Sequence, residues 1–337
     1  MSKILVTGGT GLVGAHLLYQ LVTQGLKPIA IKRDNSDTNQ VKELFSYYSE
    51  NYKELFNNIE WKNCDVLDVT QIDYLLNGVN QIYHCAALVS FNSKLKDEML
   101  ETNYTGTKNI IDMALKNNVS RICYVSSIAT LGSNNDMAVN EDCYWSWDNK
   151  SSYAVSKYLG ETEVWRGFAE GLSGFIVNPS LIIGPGFKNS GISKIINMSK
   201  YGSPLYPPGS CGIIDVRDLV SIMGKLMQSD ITNERFIINS HHITYKELMS
   251  LISVMFNKPK PKIKIGSFLI NCLLLLYILI QKIIGQKIEL SLDAIKYTTS
   301  DILLDSSKIN EYQSFNYRDY KKTIEESVEL FIKNPIK

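Results

Sequence analysis

Apolar residues in the first 180 positions follow two alternating rhythms. Short, strand-like runs at Ile4–Thr7, Pro28–Lys32, Ile59–Asn63, Gln81–Cys85, Arg121–Ser126 and Gly174–Asn178 read as strands. Between them, residues 12–25, 41–57, 70–77, 97–117 and 151–171 have helical character. Strand-helix alternation needs right-handed crossovers, and so predicts an α/β fold with a doubly wound parallel sheet covered on both faces. After Pro179 the rhythm loosens. Gly184-Pro185-Gly186 and Tyr206-Pro207-Pro208-Gly209 mark loops. Cys211–Val216 is a candidate to rejoin the sheet, with a helix from Asp218. From about 241 a smaller, mostly helical lobe is expected. The expected organisation is one domain of residues 1–180 plus about 213–240, and a substrate lobe of 181–212 and 241–330.

Residues 265–281 contain no charge and are flanked by Lys258, Lys260, Lys262 and Lys264 on one side and Lys282 and Lys287 on the other. A membrane-spanning helix takes about 20 apolar residues, so this run is short. It reads as a buried helix of the small lobe, with shallow attachment to a membrane as the second reading and a true span as the third.

Charge adds little to this picture. The 337 residues hold 35 Lys plus Arg and 34 Asp plus Glu, a net charge of +1, so no overall excess attracts nucleic acid or an anionic surface. A strand that starts by residue 3 leaves no room for a signal peptide. The six cysteines, Cys64, Cys85, Cys123, Cys143, Cys211 and Cys272, form no C-x-x-C pair and read as reduced residues of a cytoplasmic protein. The histidines are His16, His84, His241 and His242. None has ligand spacing with a cysteine or carboxylate, so no metal is expected, and His241-His242 reads as a loop or surface pair.

Chemistry enters at residue 8. Gly8-Gly9-Thr10-Gly11-Leu12-Val13-Gly14 joins the first strand to the first helix, with glycines spaced three apart. Glycine lets the backbone approach a pyrophosphate, and the free N–H groups of a helix start face its charge. A dinucleotide at the top of the first strand follows, which makes the domain Rossmann-type. Tyr153 and Lys157 lie four apart on a predicted helix and share a face. A nearby ammonium favours phenolate, so such a tyrosine can act as a general acid or base near neutrality. Ser126-Ser127 ends a predicted strand, at the edge where open α/β sheets bind ligands.

These motifs resemble the extended short-chain dehydrogenase/reductase family, in the NAD-dependent epimerase/dehydratase group. The resemblance rests on Thr7–Gly14, Asp65-Val66-Leu67-Asp68, His84-Cys85-Ala86-Ala87, Asn103-Tyr104-Thr105-Gly106-Thr107, Ser126-Ser127 and Tyr153-x-x-x-Lys157. Asn178–Pro185 and Asp215–Asp218 extend it to about residue 220. Ala86–Phe91 and the Pro-Ser-Leu-Ile-Ile-Gly-Pro run look most like the dihydroflavonol-reductase and 3β-hydroxysteroid-dehydrogenase branch. The resemblance implies Tyr153 as catalytic acid/base that also contacts the cofactor, and Lys157 as the residue that lowers its pKa and holds the nicotinamide ribose. It implies Ser127 as the residue that orients the reacting oxygen, chosen over Ser126 for its offset to Gly132. It assigns the cofactor to Gly8, Thr10, Gly11, Leu12, Val13 and Gly14, with Asp65 and Val66 at the adenine, Ala86 and Ala87 along the cleft, and Asn103 and Pro179 near the active site. Arg33, in Ile31-Lys32-Arg33-Asp34, stands where the family reads a 2′-phosphate, which favours NADP over NAD; Asp34 as a ribose ligand is the alternative.

Three functions follow in order. The first is a carbonyl reductase, or alcohol dehydrogenase in reverse, for a small apolar or amphipathic substrate. The second is a nucleotide-sugar epimerase. Ile128-Ala129 in place of an Asp-Glu pair argues against dehydration. Asn178 stands where epimerases often place an arginine, and beyond residue 180 only Arg217, Arg235 and Arg318, with lysines such as Lys188 and Lys194, could meet a diphosphate. The third is a non-catalytic dinucleotide sensor. The family also implies a homodimer through 97–117 and 151–171.

Overall fold

The computed structural model describes residues 2–90, 92–132, 138–148, 150–187, 192–266, 298–299, 301–312 and 314–333. The uncharged run at 265–281 lies, from residue 267, outside the described residues, as do Lys188 and Cys272.

In chain order, β1 (Ile4–Thr7) leads to α1 (Leu12–Thr23), and β2 (Ile29–Lys32) to α2 (Asn39–Tyr48) and α3 (Tyr52–Asn57). β3 (Glu60–Asn63) leads to α4 (Val69–Leu76). β4 (Gln81–His84) leads to α5 (Lys96–Leu100), a π-helical turn at Glu101–Thr105, and α6 (Gly106–Lys116). β5 (Arg121–Val125) passes through a 3-10 turn, Ile128–Thr130, to α7 (Ser152–Ala169) and β6 (Gly174–Pro179). Then come β7 (Leu181–Ile183), α8 (Ser193–Lys200), β8 (Leu205–Tyr206), β9 (Ser210–Asp215), α9 (Val216–Met227), β10 (Glu234–Ile238) and β11 (His241–Thr244). α10 (Tyr245–Met255), β12 (Ile263–Lys264), α11 (Lys308–Tyr312) and α12 (Tyr320–Lys333) complete the described elements.

Seven strands form one parallel sheet in the order β10-β6-β5-β4-β1-β2-β3. This is a Rossmann-like α/β fold. Strand alternation divides the core into two layers. Val6 and Ala30 face Leu17, Leu18 and Leu21 of α1, Phe45 of α2 and Leu219 and Met223 of α9. Leu5 and Ile29 face Ile72, Leu76, Ile110, Ile111, Val164 and Phe168. The strand order reverses between β1 and β4, and this switch point opens the ligand crevice at the carboxyl ends of the strands.

Four expectations need correction. Cys211–Val216 does not rejoin the main sheet; β9 lies in a separate sheet between β7 and β11. The seventh strand is β10, opened by Glu234 and Arg235, whose charges are met by Lys308 at 2.5 Å and Glu161 at 3.0 Å. Such partners cannot be read locally. The single helix at 41–57 breaks, because Ser49 is extended and its hydroxyl accepts from Asn51 N at 3.2 Å, a local turn that competes with the helix. His241-His242 forms a strand rather than a loop: His241 stacks on Tyr320 with centroids 4.1 Å apart, and His242 Nε2 accepts from Leu304 N at 3.2 Å. The region beyond 180 therefore combines helices with a three-stranded sheet.

Asp215 ties α9 to α12. It caps α9 by accepting from Arg217 N at 2.7 Å, pairs with the Arg217 guanidinium at 2.6 Å, and accepts from Thr323 Oγ1 of α12 at 2.6 Å. Arg217 also pairs with Glu326 at 2.6 Å. Burial works to raise the Asp215 pKa, but hydrogen bonds from Arg217 and Thr323 outweigh it and hold the carboxyl below its ordinary value. A depressed pKa contributes stability above the unfolded value near 3.9, which is lost as pH falls further. Asp215→Ala should cost about 3 kcal/mol in urea denaturation at pH 7, and the deficit should shrink toward pH 3.

Candidate active site

The glycine turn is shaped by close approach. Gly8 has φ of +67°, and a Cβ there would lie 2.7 Å from the Ala86 nitrogen; a Cβ on Gly14 would lie 2.2 Å from Gly8 O. Gly11 begins α1 without any side-chain cap or acidic first turn. The N–H groups of Leu12, Val13 and Gly14 thus open the helix beside a glycine surface and partly exposed Thr10, an arrangement that suits a dinucleotide pyrophosphate.

Behind this turn, a hydrogen-bond chain joins β1, β4 and the π-helical turn. Thr107 Oγ1 donates to Asn103 O at 2.7 Å, so it accepts from His84 Nε2–H at 3.0 Å. His84 Nδ1 then accepts from the Thr7 hydroxyl at 2.6 Å, and Thr7 Oγ1 accepts from Ala86 N at 3.0 Å. Burial, with the Lys157 charge adding to it, lowers the His84 pKa to about 3, so the ring is neutral. Asn103 has its own partners: Leu88 N and O at 2.7 and 2.9 Å, and Ser156 Oγ of α7 at 2.9 Å. The π turn aims this side chain between the β4 loop and α7.

Lys157 is 1 % exposed, the deepest charge near the crevice. Its Nζ donates to Tyr124 Oη and Val125 O, both at 2.8 Å. Burial lowers its pKa to about 7, against the opposing field of Glu161. Tyr153, half-buried, lies one helical turn earlier on α7. Ser127 sits at the carboxyl end of β5, half-buried, with its Oγ accepting from Ala129 N at 3.1 Å. Ser126 is different: its hydroxyl is buried and donates to Glu161 Oε2 at 2.5 Å.

The other predicted positions lie at the same sheet edge. Arg33 follows β2, is exposed, and enters no ion pair among the described residues. Asp65 follows β3 and accepts from Leu67 N at 3.0 Å, while Val66 packs on Gly106. Ala86 is half-buried, Ala87 is exposed, and Pro179 is buried at the end of β6.

Sequence reasoning missed Glu161. This carboxylate, 2 % exposed, also accepts from Thr130 Oγ1 at 2.8 Å, Asn178 Nδ2 at 2.9 Å and Arg235 Nη1 at 3.0 Å. Asn178 in turn donates to Ser127 O at 3.2 Å. Glu161 therefore holds the loop bearing Ser127 against the helix bearing Tyr153 and Lys157. The available signal was its spacing, four residues after Lys157 on the same helix face.

Fold and site together define a dinucleotide-binding α/β protein. The chain belongs to the NAD dependent epimerase/dehydratase family, whose model matches residues 4–239. It is 28% identical over 277 residues to sterol demethylase protein B of Methylococcus capsulatus, covering 81% of this chain and 80% of that protein. It is 26% identical over 336 residues to a putative dihydroflavonol 4-reductase of Synechocystis, covering 97% and 93%. Among solved structures, WbmH of Bordetella bronchiseptica in complex with NAD+ superposes with a TM-score of 0.76 at 19% identity, with all of both chains covered.

The buried ammonium has a thermodynamic signature. With the folded pKa of Lys157 below its unfolded value near 10.4, the unfolded chain binds more protons between those limits, so stability rises with pH across that window. Lys157→Met removes this penalty. Its melting temperature relative to wild type, followed without cofactor, should therefore be highest near pH 7 and fall steadily toward pH 10.

Proposed function

We propose that this protein is an NADP-dependent oxidoreductase that reduces a carbonyl, or oxidises the matching alcohol, on a small apolar or amphipathic molecule. The observation that carries this reading is the grouping of Ser127, Tyr153 and Lys157 at the switch-point edge beside the glycine turn. In this reading residues 1–180 with about 213–240 hold the dinucleotide, and 181–212 with 241–330 shape substrate choice.

When bound, the reduced dinucleotide supplies the hydride. The Ser127 hydroxyl donates a hydrogen bond to the carbonyl oxygen and polarises it. Tyr153 gives its proton to that oxygen as negative charge develops there. Lys157, one helical turn away, stabilises the phenolate left behind. Its ammonium, anchored by Tyr124 Oη and the Val125 carbonyl, favours that negative charge electrostatically. Glu161 keeps Ser126, Thr130 and Asn178 fixed so that Ser127 meets the substrate in one orientation.

Arg33 supports NADP. An exposed guanidinium at the β2 end matches a 2′-phosphate by its bidentate fork, with Lys32 beside it. The names of the curated relatives, a reductase and a protein named for sterols, fit a carbonyl on an apolar body. An epimerase fits less well, because Asn178 is buried and turned into the Ser127 and Glu161 network rather than toward a diphosphate.

Tyr153→Phe should lower kcat for NADPH-dependent carbonyl reduction by roughly 10²- to 10⁴-fold, with NADPH binding by fluorescence titration unchanged; an unaffected kcat would overturn the proton-transfer role. Arg33→Ala should weaken NADPH binding by roughly ten- to a hundredfold and leave NADH binding as it was. Conversion of UDP-sugars with no net cofactor oxidation would favour the epimerase instead.

A further inference from the structure

The net charge of +1 conceals an uneven distribution. Residues 171–214 contain no Asp or Glu, and neither do residues 248–288; the two stretches carry nine lysines and no arginine. The rest of the chain is correspondingly acidic.

These two stretches meet in the structure. β12 pairs in parallel with β8, Ile263 opposite Leu205 and Lys264 opposite Tyr206. The nitrogens of Lys262 and Ile263 both donate to Pro204 O at 2.9 Å. α8 packs on α10, and the Lys258 stem lies against Gly202, in the turn that closes α8. Pro259 and Pro261 keep the segment after α10 out of helix.

Lys258, Lys260, Lys262 and Lys264 are all exposed. Among the described residues none of them comes within 4.0 Å of a carboxylate, the limit for an ion pair. Large apolar side chains stand in the same two stretches: Tyr201 is 79% exposed, Ile263 54%, Val254 53% and Met198 48%. A solvated charged face normally mixes both signs and hides such side chains. Here cations without acids alternate with apolar groups, and the chain continues from Lys264 into the uncharged run at 265–281.

We propose that the surface formed by the ends of α8 and α10 and the β8–β12 ribbon docks on anionic lipid membranes. The lysines meet lipid phosphates and carboxylates electrostatically, and Tyr201 and Ile263 enter the headgroup layer. A nucleic acid fits less well. Its recognition favours arginine forks, which both stretches lack, and leaves exposed aliphatic side chains unused. The docking is independent of the reaction proposed for the crevice.

The test is sedimentation of the full chain with vesicles of phosphatidylcholine alone and of equal parts phosphatidylcholine and phosphatidylserine. Wild type should bind the mixed vesicles, weaken as salt rises, and bind the neutral vesicles poorly. With each lysine worth roughly fivefold in partition, K258Q/K260Q/K262Q/K264Q should reduce binding by about a hundredfold or more, with melting temperature and NADPH binding unchanged. Ile263→Ser with Tyr201→Ser should weaken binding without changing its salt dependence. Equal binding to both vesicles, or a quadruple variant bound like wild type, overturns the proposal. So does binding to poly(U) without binding to vesicles. Carbonyl reduction by a protein that ignores vesicles would sink the docking alone; vesicle binding by a protein without reductase activity would sink the proposed reaction alone.

Discussion

The rest of the site depends on one ammonium group taken out of water. Lys157 is held between Tyr124 and the Val125 carbonyl, both on β5, while its own backbone belongs to α7. Burying that charge is unfavourable and would be tolerated only where oriented dipoles and a nearby carboxylate compensate. The carboxylate is Glu161, and it reaches the same loop from one turn further along α7. Strand, loop and helix are thus locked in one register by the need to keep a cation dry. The same need favours a precise site, because loosening any member exposes the others to water.

Much of this architecture was legible because its signals are local. Strands β1, β2, β4, β5 and β6 are buried on both faces and carry mostly apolar side chains, and the edge strand β3, Glu-Trp-Lys-Asn, was found through the strand-helix alternation; all six were visible at nearly their observed limits. Glycines that forbid a Cβ, as at Gly8 and Gly14, announce close approach in the sequence itself. What stayed hidden depends on distant partners. β10 opens with two charged residues neutralised by Glu161 and Lys308, far away along the chain. Glu161 reads as an ordinary helix-surface carboxylate until Arg235, Thr130 and Asn178 close around it. β9 carries an apolar pattern that suits either sheet, and its pairing with β7 and β11 decides between them.

Neutral groups do as much organising as charged ones. His84, deprived of its charge by burial, acts as a two-ended connector between Thr7 and Thr107. Asn103 bridges the β4 loop and α7 through a turn wound one residue wider than an α-helix.

The Asp215 cluster carries a consequence for biosynthesis. Thr323 lies 108 residues downstream of the carboxylate it satisfies. At about 5–20 residues per second on the ribosome, that partner arrives roughly 5–20 seconds later. During the interval α9 already has its N-cap and its place against α1, yet the aspartate lacks part of its shell. Until α12 emerges, Asp215 goes without the Thr323 hydroxyl and its partner Arg217 without Glu326, so this corner of the fold is completed last.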